Sequence, residues 1–138
     1  MPINFVFLEK EDLQSQMFEA YIDDDNAEDI DALERIEGQT IASFKTKLRQ
    51  RYDVDLVFSQ VAAARDQEVV KHLAAIVCYY MIRRNAARKI PIDYVKEFEI
   101  AQKWLKDVRE GIEVPNLPRI EIRQELLWGT SRNEDWLI

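Results

Sequence analysis

At 138 residues, with only 3 glycines and 4 prolines and with Leu, Ile, Ala, Glu, Lys and Arg abundant, the chain has the length of one domain and a helix-forming composition, which argues against a β-sandwich or a disordered polymer. Its lone cysteine, Cys78, excludes an intrachain disulfide and suits a reducing compartment, and no basic stretch followed by a long apolar run opens the chain, so a soluble, cytosolic product is expected. The net charge of -7 is unevenly divided: residues 1–37 hold 12 acidic and 2 basic side chains and the remainder hold 14 and 17, as solvated faces do or as surfaces on which one copy meets another.

In chain order, the apolar opening over residues 3–8 reads as an extended arm. A short helix follows over 9–22, with Leu13, Met17, Phe18 and Tyr21 at helical spacing. Asp23, Asp24, Asp25 and Asn26 then favour a turn, because their side chains compete with the backbone for hydrogen bonds, and the last of them suit the cap of the next helix. That helix is predicted over 27–52, with Ile30, Leu33, Ile41, Phe44 and Leu48 inward and Gly38 as its weak point. "DVDLVF" at 53–58 reads as an extended connection.

The run "LAAIVCYYMI" at 73–82 lacks any charged or amide side chain. A helix apolar on all sides must be surrounded by other elements, and ten residues are too few to cross a bilayer. Arg83, Arg84, Arg88 and Lys89 close this helix, complementing its dipole, and Pro91 stops it. A last helix over 92–111 places Tyr94, Phe98, Ala101, Leu105, Val108 and Ile112 along one seam. The fold class expected is therefore all-α: an antiparallel bundle of three longer helices and a short N-terminal one over 1–113, followed by a tail over 114–138.

Catalytic chemistry finds little to work with. His72 is the only histidine, and Cys78, six residues on in an apolar helix, reads as a structural cysteine. No metal is expected: Asp23, Asp25 and Glu34 match positions of a calcium loop, but Ala27 and Glu28 occupy places that require a ligand and a glycine. No phosphate-cradling loop exists among three scattered glycines, and no cofactor is expected. The basic groups Arg83, Arg84, Arg88 and Lys89, and Lys45, Lys47, Arg49 and Arg51, read as helix-end and solvent-facing charges rather than as a phosphate-binding surface.

The tail behaves differently from the rest. Ile120 and Ile122 alternate with Glu121 and Arg123, a period suited to adding a strand to an exposed sheet edge, and Leu126, Leu127, Trp128, Trp136 and Leu137 are apolar anchors. Either the tail clasps a partner or it folds back on its own bundle as a lid.

Three stretches, in this order and at these intervals, resemble the head–tail adaptor, or head-completion, proteins of tailed bacteriophages. They are Arg51-Tyr52-Asp53 before a short apolar link, Tyr79-Tyr80-Met81-Ile82-Arg83-Arg84 at a helix end, and the run from Trp104-Leu105 to Gly111. The resemblance covers about residues 8–118; it departs at Glu9, where members often carry a Ser or Thr cap, and in the longer, more aromatic tail. It implies a non-catalytic virion subunit that assembles in the host cytoplasm into a ring, typically dodecameric, beneath the portal protein. Such a ring prolongs the channel through which packaged DNA passes without sequence-specific binding, and it docks the next neck or tail component. Neighbouring subunits would meet heterologously, with Asp23, Asp24, Asp25 and Asp29 as one candidate contact group and Arg83, Arg84, Arg88 and Lys89 as the other. Two further readings are an acidic inhibitor that mimics DNA toward a host protein, and an enzyme built on Tyr52, Asp53, His72 or Arg83.

Overall fold

The computed structural model describes residues 4–14, 27–84 and 90–120. The fold is all-α. Its helices are α1 (Lys10–Gln14), α2 (Ala27–Leu48), α3 (Val54–Ser59), α4 (Gln67–Arg84) and α5 (Ile92–Glu110), with a 3₁₀ turn at Ala62–Ala64 before α4. The three long helices α2, α4 and α5 all pack against one another.

The side chains fix their directions. His72 stacks on Trp104 and Tyr79 on Phe98, so α4 and α5 run antiparallel. Arg84, the last residue of α4, reaches Asp29 at the start of α2, which makes α2 antiparallel to α4 and parallel to α5. The C-terminal ends of α2 and α5 therefore lie together, where the Arg51 Nε donates to the Arg109 carbonyl at 3.1 Å.

The expected apolar faces are where the core forms. Ile30, Leu33, Ile41, Phe44 and Leu48 are all buried along α2, and α4 is buried over nearly its whole circumference between Leu73 and Cys78. Each fully buried Leu or Phe contributes roughly 1.5–3 kcal/mol relative to leaving it in water. Gly38 does not interrupt α2; it lies on the exposed side with open space around its Cα.

Three expectations need correction. The stretch 53–58, expected to be extended, instead supplies the cap and most of α3 (Val54–Ser59), because Asp53 accepts the Leu56 N–H on its Oδ1 at 3.2 Å and so satisfies one of the first-turn donors. The second helix ends at Leu48, not at Tyr52. The seam of α5 is buried at Ala101, Leu105 and Val108 but ends there; Ile112 is 69% exposed. Gly111 adopts φ +83°, and the Ile112 N–H returns to the Asp107 carbonyl at 2.8 Å, a left-handed cap that turns the chain away before Ile112 can join the row. Of the predicted first helix, α1 with buried Leu13 is described, and Met17, Phe18 and Tyr21 lie outside the described residues.

No helix among the described residues is long and apolar enough to cross a membrane.

Candidate functional site

Both non-helical ends are fastened to the bundle, by different means. At the N-terminal end, Glu37 lies in the middle of α2 and is 1% exposed. Its Oε1 accepts the Val6 N–H at 2.9 Å, and its Oε2 accepts those of Phe7 and Leu8 at 2.9 and 2.7 Å. A buried carboxylate here does for the arm what a neighbouring strand does elsewhere: it satisfies backbone donors that burial removes from water. Arg65, also buried, holds the far side of the same turn. Its Nη1 donates to the Phe7 carbonyl at 3.0 Å and to Asp12 at 2.6 Å, its Nη2 lies 3.4 Å from Glu9, and its guanidinium stands over the Phe7 ring.

At the C-terminal end, the chain leaves α5 at Gly111, buries Leu117 in the core, and pairs with the link after α2. Tyr52 and Arg119 form one antiparallel bridge: the Asp53 N–H donates to the Pro118 carbonyl at 2.8 Å and the Ile120 N–H to the Arg51 carbonyl at 3.2 Å. Tyr52 is buried beneath the Arg119 guanidinium. The Arg51 guanidinium lies against Gly111, where an added Cβ would meet its Cζ at 3.1 Å. The ladder cannot continue past Arg51, because the N–H groups of Arg51 and Tyr52 already turn back to the Leu48 carbonyl and the preceding residues belong to the end of α2.

Of the predicted anchors, Ile120 is 39% exposed at the mouth of this bridge; Ile122, Leu126, Leu127, Trp128, Trp136 and Leu137 lie outside the described residues. Of the two charged groups, Asp29 and Arg84 are brought together within one chain at 2.9 Å, and Arg83 is exposed beside them. A subunit contact through Asp29 or Arg84 therefore has to open or extend an existing pair. Asp23, Asp24, Asp25, Arg88 and Lys89 lie outside the described residues.

The residues considered for chemistry are occupied with structure. Asp53 caps α3 and Tyr52 fills the core. His72 stacks on Trp104 with ring centroids 4.5 Å apart. Burial, reinforced by the neighbouring Lys71 charge, lowers its pKa to about 4, so it is neutral at physiological pH. Around it stand Glu68 from its own helix, Lys103 and Asp107 from α5, and Glu113 beyond. Burial pushes the Cys78 thiol up to about 12, which leaves it a thiol and not a nucleophilic thiolate. Among the described residues no cluster of three or more His, Cys, Asp or Glu side chains is arranged to hold a metal ion.

Sequence reasoning missed Glu37 and Arg65. The signal for Glu37 was present: it is four residues from both Leu33 and Ile41, on the apolar stripe and not on the solvent face.

Comparison with protein families, curated proteins and solved structures finds no match for this chain.

Proposed function

We propose that this chain is a structural subunit of a tailed-phage neck, a head–tail adaptor that forms a ring, dodecameric in such proteins, under the portal protein and docks the next neck or tail component. The observation that carries the reading is the exit of the C-terminal tail. Among the described residues the backbone pairs at Tyr52 and Arg119, and the link it pairs with gives way to the end of α2, where the Arg51 and Tyr52 N–H groups turn back to Leu48. Residues 120–123 have the alternation of a strand, and backbone donors and acceptors in such a segment favour a partner that supplies the missing edge. Two motifs of the resemblance also meet in space, since Arg51 rests on Gly111 and bonds to Arg109. In this role the chain holds its neighbours together in the virion neck without catalysis or cofactor.

The DNA-mimic reading is the weaker. It needs acids spread free along a surface, whereas Glu37 is buried on backbone donors, Asp12 is tied to Arg65, Asp29 to Arg84 and Asp31 to Arg35.

Electron microscopy of the purified protein, alone and mixed with the portal protein of the same phage, tests the proposal. Rings stacked coaxially on the portal are expected; a portal that stays bare at saturating adaptor refutes the assignment.

A further inference from the structure

Folding collects at one end of the bundle cations that are scattered in the sequence. Lys47, Arg49 and Arg51 lie at the C-terminal end of α2 and on the turn after it, Lys106 and Arg109 near the C-terminal end of α5, and Arg119 at the bridge with Tyr52. Lys47 is half-buried and the others are exposed. Elsewhere the bundle balances its cations: Arg35 with Asp31, Lys45 with Asp55, Arg65 with Asp12, Arg84 with Asp29 and Lys103 with Asp107. The collected cations make no ion pair with another described residue. Nearby acids do not offset them, since Asp53 caps α3, Asp55 and Asp107 already hold lysines, and only Glu110 and Glu113 remain at this end among the described residues.

Helix dipoles alone do not call for so many charges, because their effect fades within the last turn, and Arg119 belongs to no helix. Two of the guanidiniums are also held in place. Arg51 is fixed by its Nε bond to the Arg109 carbonyl at 3.1 Å and by its contact with Gly111. Arg119 lies over the buried Tyr52 ring, its Cζ 5.7 Å from the centroid. A guanidinium positioned in this way offers its Nη groups to an oxyanion and gives up less side-chain freedom on binding.

We infer that this end of the bundle binds the phosphate backbone of nucleic acid without reading its bases. A protein partner is met by apolar anchors at the centre of a contact with charge at the rim, whereas the exposed side chains of residues 49–51 and those of Lys106, Arg109 and Glu110 are all charged or amide. Several cations without an apolar centre suit a line of phosphates. The net charge of -7 resides elsewhere: residues 1–37 hold 12 acidic and 2 basic side chains, and α2 carries Glu28, Asp29, Asp31 and Glu34 toward its opposite end. This surface does not depend on the adaptor reading.

Fluorescence anisotropy of a short labelled DNA duplex with the full-length chain tests it. Affinity should fall between about 50 and 200 mM salt with a log–log slope of about -3 or steeper, at about -0.9 per phosphate engaged. Arg49→Gln combined with Arg109→Gln should weaken binding about tenfold or more at low salt and flatten the slope by about 2. Lys106→Gln takes the place of Arg109→Gln should the urea midpoint fall. Arg83→Gln combined with Lys96→Gln removes the same charge toward the other end of the bundle, from residues that likewise make no ion pair with another described residue, and should leave affinity and slope unchanged. No binding at about 50 mM salt, equal losses from the two double variants, or displacement of the duplex by polyglutamate at equal charge concentration, which would give the surface to an acidic protein, would each overturn the inference.

Discussion

The two ends of the chain leave the same helical bundle and solve the same problem in opposite ways. Non-helical backbone near a core must find partners for its N–H groups. The N-terminal arm finds them inside the molecule, on the buried carboxylate of Glu37, with Arg65 closing the turn behind. The C-terminal end has two backbone hydrogen bonds at the Tyr52 bridge, and then the edge it pairs with becomes helix. An end stapled by a buried carboxylate is part of the fold, whereas under the proposed function the end that leaves the described bridge at Tyr52, with a strand-like sequence beyond it, serves to join a partner.

The sharpest way to break this contrast is at the staple. Glu37→Ala strands three backbone donors at once, and since each buried unsatisfied group costs about 1–3 kcal/mol, urea unfolding at pH 7 should show a loss of about 3 kcal/mol or more. A loss below about 1 kcal/mol, the central value for ordinary substitutions, would show that the arm is not fastened as described.

Next in size is a pH effect where the chain leaves α5. The folded-state pKa of His72, about 4, lies below its ordinary 6.5, so the unfolded chain binds the extra proton first. Stability from neutral His72 is complete above pH 6.5 and declines as pH falls toward 4, by about 2–3 kcal/mol in all. The measurement is the difference between the native chain and His72→Gln in urea midpoint from pH 7.5 to 4.5. The native chain should lose more, and parallel curves would remove His72 from the account. Smaller again is Gly111→Ala, which places a Cβ at positive φ against the Arg51 guanidinium. The left-handed conformation alone costs about 1–2 kcal/mol outside glycine, and an unchanged melting temperature would mean that this cap does not hold the start of the tail.

How much of this could be read from residues alone differs from element to element. The inward face of α2 and the burial of α4 were legible because a regular period and an unbroken apolar run each have one physical resolution. The α3 helix was not: Val54, Val57 and Phe58 read as strand by propensity, and the decisive group is Asp53, whose side chain takes the first-turn N–H. Glu37 was hidden by the habit of assigning acids to solvent, although its spacing placed it on the buried stripe. Ile112 continued the seam by number but not in space, because Gly111 bends the path first. At the candidate site, the alternation of residues 120–123 was visible in sequence. That the described bundle meets it with a single bridge at Tyr52 was not, since that depends on where α2 ends. The contact of Arg51 with Gly111 joins residues far apart in the chain, a juxtaposition that local pattern does not encode.

The smallest expected effect on stability is also the most direct test of the central claim, that the tail serves a partner and not the fold. Trp128→Ala should leave urea unfolding within about 0.5 kcal/mol of the parent chain while weakening attachment to the portal protein by about 2 kcal/mol or more, as loss of a central aromatic anchor does. Attachment unchanged beside a clearly destabilised subunit would contradict the account and make the tail a lid on its own bundle.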